Sequence, residues 1–188
     1  MARLGKRPVE IPSSVKVAVV DNMIQVESSK GKMEHVIFPF LEIVVEEGKI
    51  YVKNSVQEKE KKLYRKTEAF QGLLRKLIIN MFVGLTEGFE RILELNGVGY
   101  KAEVNGNKLI LSVGFSNPVE VDIPEGISAE VTRNTIIILK SMDLQKLGNY
   151  AATIRKISPP EPYKGKGIRY RGEYVRHKAG KTGVGAAQ

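Results

Sequence analysis

Three short stretches of this chain carry residue types suited to chemistry on phosphates. Gly97-Val98-Gly99-Tyr100-Lys101-Ala102 has the GxGxxA spacing that cradles a dinucleotide's pyrophosphate. Gly180-Lys181-Thr182 has the ending of a phosphate-binding P-loop. Residues 159–170, Pro-Pro-Glu-Pro-Tyr-Lys-Gly-Lys-Gly-Ile-Arg-Tyr, place three prolines ahead of cations that alternate with glycines. The first two fail on context. A dinucleotide fingerprint opens a helix, whereas the residues around Ala102 alternate as a strand and run into a turn at Asn105-Gly106. The P-loop's first glycine would stand at Val175, with no strand before it.

Other catalytic sets are missing from the sequence. There is no cysteine, hence no disulfide framework and no thiolate metal site. His35 falls in an expected strand and His177 in a basic tail. Acidic residues are scattered without metal-ligand spacing, and no Ser/His/acid signature occurs. The expectation is a protein that is not an enzyme and takes no cofactor.

The third stretch keeps its promise. Proline fixes its own φ and restricts the residue before it, so the approach is stiff. Lys164, Lys166 and Arg169 then alternate with Gly165 and Gly167, whose missing Cβ lets a backbone lie close to a bulky surface. Tyr163 and Tyr170 offer flat faces for bases. Such a combination suits RNA, where cations hold phosphates and aromatics stack on unpaired bases. The plain alternative is a solvated loop, and the charge distribution argues against it. From Ala151 onward, Arg155, Lys156, Lys164, Lys166, Arg169, Arg171, Arg176, Lys178 and Lys181 face only Glu161 and Glu173, a net of +7 out of +9 for the whole chain.

The elements that must position this stretch read as two similar halves. In the first half, strands are expected at 15–20, 23–26, 35–38, 42–45 and 49–53. In the second they are expected at 89–95, 100–104, 108–113, 119–123, 129–132 and 135–139. Phe70, Leu73, Leu74, Leu77, Ile78, Met81, Phe82 and Leu85 recur at three and four, the stripe of a core-facing helix, with Gly84 and Gly88 expected to end it. A second helix is expected after Ser141, read as its N-cap, with Leu144, Leu147, Ala151 and Ile154 as its stripe. Asn22–Val26 parallels Asn107–Leu111, Val36–Pro39 parallels Val121–Pro124, and Lys49–Lys53 parallels Asn134–Ile138. Phe70, Leu74 and Arg75 likewise parallel Tyr150, Ile154 and Arg155. Four matches in one order imply duplication of a small α+β unit, a mostly antiparallel sheet covered by one helix. The expected domains are 1–83 and 84–172, followed by a basic flexible tail at 173–188. No apolar run reaches membrane-span length, and the N-terminus lacks the apolar centre of a signal peptide, so a cytoplasmic protein is expected.

These residues resemble a known family, the sixth protein of the large ribosomal subunit, in its bacterial type. The likeness runs through Arg3–Pro8, Gly72–Met81, Val83–Phe89, Gly97–Ala102, Gly114-Phe115 with Pro118-Val119, and Pro160–Ile168, the family's signature. The charged stretch at 57–62 departs from the pattern, in a variable loop. The resemblance implies two sheet-plus-helix domains and binding to 23S rRNA, chiefly by the C-terminal domain. It also implies a position near the stalk base, among neighbouring large-subunit proteins and close to where translation GTPases dock. On this reading the rRNA-binding residues are Tyr163, Lys164, Gly165, Lys166, Gly167, Arg169, Tyr170 and Arg171, with Arg155, Arg176, Lys178 and Lys181. A stand-alone RNA chaperone or accessory protein would share the same basic stretch.

Overall fold

The computed structural model describes residues 5–56 and 61–178. The chain divides into two compact units, which part between Gly88 and Phe89. That point lies five residues beyond the boundary expected from the sequence, because the first helix continues through Gly84.

In the first unit, β1 (Val9–Glu10), β6 (Lys49–Asn54) and β5 (Leu41–Glu46) form one antiparallel sheet in that order. The strands β2 (Val15–Val20), β3 (Met23–Ser28) and β4 (Gly31–Val36) form a second sheet as a meander. Alternation decides which side chains turn inward: Ile24 and Val26 on β3 and Ile50 and Val52 on β6 are buried, and the residues between them are not. Helix α1 (Lys61–Thr86) covers these strands with Leu74, Ile78, Met81, Phe82 and Leu85. The buried Gln71 pins the helix to β6 by donating through Nε2 to the Val52 carbonyl at 2.6 Å. Arg75 Nε donates to the Arg7 carbonyl at 2.8 Å and so holds the chain entering β1.

Gly84 lies within α1 and does not end it, since a glycine in a helix interior weakens the helix without breaking it. Termination comes at Gly88, whose N–H and that of Glu87 both reach the Val83 carbonyl. The helix has no basic residue in its last turn. Lys30 supplies the missing cation from the β3–β4 turn and donates to the Thr86 carbonyl.

The second unit repeats the plan. The meander is β8 (Lys101–Asn105), β9 (Lys108–Ser112) and β10 (Val119–Asp122). The other sheet runs in the order β11 (Ile127–Thr132), β12 (Ile136–Ser141), β7 (Phe89–Asn96) and β13 (Gly167–Tyr170). Its β7-β12-β11 portion matches β1-β6-β5. Arg133 and Asn134 both take positive φ in the three-residue turn, 133–135, between β11 and β12, the geometry that suits the twist of a hairpin. Helix α2 (Leu144–Ile157) buries Leu147, Tyr150, Ala151 and Ile154 against β7, β12 and β13. The fold is α+β, with duplicated sheet-and-helix units.

Three local expectations need correction. The strand expected at 35–38 is β4, which runs from Gly31 to Val36 because it pairs with β3 along its whole length. Asp143, not Ser141, caps α2: its carboxylate accepts from the N–H groups of Gln145 and Lys146 at 2.8 and 3.1 Å. Ser141 instead accepts from the Asp143 N–H and donates to the Gly126 carbonyl. Strand β13, unforeseen from the sequence, occupies the end of the basic stretch.

The Tyr150 hydroxyl is buried and has no hydrogen-bond partner among the described residues. Desolvation, and secondarily the charge of Asp122, pushes its pKa up from 10.0 to about 12. The folded state therefore holds the phenol neutral where the unfolded chain releases its proton. The stability this contributes is complete below the unfolded value and is lost as pH rises through the folded one. Tyr150→Phe should match or exceed the wild type at neutral pH, by up to about 1 kcal/mol, because it removes an unpaired hydroxyl. Urea unfolding between pH 10 and 12 should show a smaller decline for the variant. Leu74→Ala should cost about 2–5 kcal/mol in the same assay, since Leu74 is fully buried.

Candidate nucleic-acid interface

Helix α2 ends at Ile157, ahead of two prolines that cannot continue it. The chain then folds back on itself. The Glu161 N–H donates to the Lys166 carbonyl at 2.8 Å and closes a loop over residues 161–166. The Ile168 N–H donates to the Ser158 carbonyl at 2.7 Å. Past the loop, β13 lies antiparallel to β7, with Gly167 opposite Asn96 and Tyr170 opposite Leu93. Ile168 on β13 is fully buried in the core. The stretch is thus the rim of a sheet carrying a short loop, where the sequence suggested a free extended arm.

Gly167 is where this arrangement is tightest. A Cβ there would lie 2.5 Å from the Pro159 carbonyl oxygen and 2.6 Å from the Pro160 Cα, and its φ is +137°. No other residue fits this conformation and this gap together. The glycine expected to let RNA approach is buried and lets the chain pack on its own prolines. Gly165 differs. Its φ is +69°, and the nearest atom to an added Cβ would be His177 Cε1 at 3.7 Å, so its surroundings are open.

The cations divide in the same way. Arg155 makes two bonds to Glu173, from Nε at 3.1 Å and from the terminal nitrogen at 2.5 Å. Its guanidinium also sits 5.9 Å from the centre of the Tyr170 ring. Glu173 further accepts from the Tyr170 N–H at 3.0 Å. Arg169 pairs with Glu94 at 3.3 Å across β13 and β7. Arg155, Arg169 and Tyr170 are therefore half-buried and engaged within the protein. The exposed members of the expected set are Tyr163, Lys164, Lys166, Arg171, Arg176 and Lys178. Lys181 lies outside the described residues. A single strap joins these exposed groups, because the Lys178 N–H returns to the Pro162 carbonyl at 2.9 Å. One bidentate pair, one stacked ring and three backbone bonds thus hold five cations and an aromatic on one rim.

The Arg155 hydrogen bond, with help from the Tyr170 N–H, holds the Glu173 carboxyl below the ordinary carboxylate range, against the opposing effect of burial. The same bond raises the Arg155 pKa. In the sequence Glu173 reads only as an opposing charge, whereas Tyr174, an aromatic between Arg171 and Arg176, is a readable signal outside the expected set. The turn at Gly97–Tyr100 leads into strand β8, so the GxGxxA spacing does not open a helix. Among the described residues no group of His, Asp or Glu is placed to hold a metal ion, and no helix is long and apolar enough to cross a membrane.

Comparison with known proteins fits this surface. The family model described as ribosomal protein L6 matches residues 96–171, from the end of β7 through β13 and the residue after it. The large ribosomal subunit protein uL6 of Desulfatibacillum aliphaticivorans is 47% identical over 184 residues, covering 98% of this chain and 100% of its own. The proteins of the same name from Synechocystis and Dictyoglomus thermophilum are each 48% identical, over 97% of this chain and 99% of theirs.

Two substitutions test how the rim is held. Gly167→Val should lower thermal stability and weaken protection of the β13 amides in hydrogen exchange, because a branched side chain meets the Pro159 carbonyl. Glu173→Gln probes the acid limb. A depressed folded pKa gives stability that is present above the ordinary carboxylate value and lost as pH falls through the folded one. The variant should melt below the wild type at neutral pH, and the gap should close on acidification below about pH 4. An unchanged gap at low pH would mean that the carboxylate's charge contributes nothing.

Proposed function

The chain belongs to the uL6 family of large ribosomal subunit proteins, and from that membership we propose that it holds 23S rRNA through the rim built on β13. The proposal is supported most by one coincidence. The region matched by the family model is also where the described surface gathers Lys164, Lys166, Arg171 and Tyr163 beside α2. As a ribosomal protein it works in the ribosome, in the cytoplasm, and its role there is structural rather than catalytic.

In mechanism, Lys164, Lys166, Arg171, Arg176 and Lys178 contact phosphates, and Lys181 extends the same basic run. Each contact releases counterions condensed on the RNA, which drives association and makes it salt-dependent. Tyr163, 58% exposed, stacks on a base. Gly165 allows the backbone to approach where a side chain would be strained. Arg155, Arg169, Gly167 and Tyr170 act as positioning residues that hold β13 and the loop in place. The 23S contact lies near the stalk base and the factor-binding region, among neighbouring large-subunit proteins and close to docking translation GTPases. That placement is supported by the family resemblance alone. The domains follow the two units; residues 173–178 form the strap, and the rest of the tail expected at 173–188 lies outside the described residues.

Co-sedimentation with large subunits through high salt tests the structural role, since a chaperone that binds RNA transiently would be stripped away. For the surface itself, Lys164→Ala and Lys166→Ala should each weaken binding to large-subunit rRNA fragments. Each should also flatten the log–log salt dependence by roughly 0.7 to 0.9. Wild-type affinity and slope in both variants would move the contact away from this loop.

A further inference from the structure

Between the 161–166 loop and the strap of residues 173–178 lies a cleft of about 360 Å³. Its walls include Asn96, Lys164, Arg169, Glu173, Tyr174 and His177. The volume falls within the usual range for small-molecule sites and is far too small for a duplex. The Lys178–Pro162 bond ties the end of the strap to the start of the loop, the two segments that flank the cleft.

Its polar groups are unbalanced in one direction. Both carboxylates at hand are committed, Glu173 to Arg155 and Glu94 to Arg169. The donors are not all used. Asn96 Nδ2 and Arg169 Nε are buried with no acceptor among the described residues, and Lys164 is exposed at the mouth. A buried donor left unpaired is costly, and such groups are rare enough to need a reason. An occupant bringing oxygens or ring nitrogens would supply the missing acceptors after a small rotation of the amide and guanidinium. Beside these donors stands Tyr174, 86% exposed. Donors for a phosphate and a base edge, a free aromatic face and a nucleotide-sized volume therefore meet in one place.

We propose that this cleft receives one unpaired nucleotide of the bound RNA, its phosphate on Lys164, its base edge on the Asn96 amide and the Arg169 Nε–H, and its face on Tyr174. The inference rests on the RNA-binding reading and deepens it: the protein holds a base swung out of the helix in addition to a run of phosphates. A fully paired stem would leave the cleft empty.

The test uses the full chain and two separate readouts. Titration with nucleoside monophosphates, followed by NMR, should shift the Arg169 Nε–H and Asn96 side-chain amide signals. Ribose 5-phosphate, which lacks a base, should shift them less. Tyr174→Ala, an exposed position that leaves the fold intact, should weaken the nucleotide effect about tenfold or more, and Tyr174→Phe should restore it. In parallel, Tyr174→Ala should weaken binding to large-subunit rRNA fragments without changing the salt slope. Wild-type rRNA binding with no nucleotide shifts, or with Tyr174→Ala indistinguishable from wild type, would overturn the cleft proposal and leave the RNA-binding reading standing. Failure of the wild type to bind rRNA would overturn both.

Discussion

At residue 167 the chain passes so close to Pro159 and Pro160 that there is no room for a side chain. Much depends on that contact. It lets the chain leaving α2 turn back at once and lie along β7. Ile168 can then enter the core, and the 161–166 loop is fastened at both ends. Prolines at the turn reduce the entropy lost on ordering it, and they have no N–H to leave unpaired. The cost is intolerance: one methyl group at this position would collide with backbone rather than with a side chain that could yield.

Charge is arranged around the same contact in two layers. The inner layer is neutralised within the protein, Arg155 by Glu173 and Arg169 by Glu94. These pairs are shielded enough to be screened less than open surface pairs, and the bidentate one is geometrically specific. The outer layer, Lys164, Lys166, Arg171, Arg176 and Lys178, stands in solvent, where its repulsion is spread over a rim and screened within a Debye length of ~8–10 Å. The inner pairs fix the shape and the outer cations carry the field. The first unit applies the residue equivalent to Arg155 differently. Arg75 grips backbone carbonyls of the strand-entry segment, and no carboxylate among the described residues takes part. One ancestral position thus holds the end of a sheet in both units, but only the second extends that sheet into a basic rim.

Periodicity and turn chemistry were enough to read the duplication, both core stripes and most hairpins. Asn105-Gly106 and Arg133-Asn134 announce their turns, and Leu74 and Ile154 announce their helix faces, because those signals are local. What escaped depended on residues distant in sequence. Gly167-Ile-Arg-Tyr reads as part of a basic loop, since only its pairing with a strand more than 70 residues earlier makes it β. For the same reason Arg155 and Arg169 look like surface cations until Glu173 and Glu94 are seen beside them. The capping of α2 went to Asp143 over Ser141 because two backbone donors converge on a carboxylate, a choice settled by two residues' difference in where the helix begins. Lys164 and Lys166 are exposed on the loop, as cations between glycines suggest, and no carboxylate among the described residues pairs with them.

The pairing of β13 with β7 also sets an order of events during synthesis. Every strand of the first unit, and its helix, precedes Gly88 in the chain, so that unit can fold while the rest of the chain is still being made. The second sheet has to wait. Strand β7 opens the unit and its partner β13 is made near the end, so β7 stays open on that side until almost the whole unit has emerged. Contacts spanning so long a loop are entropically slow to close. The basic rim is therefore the last part of the molecule to take shape, and a nascent chain carries its basic surface in finished form only once the scaffold beneath it is complete.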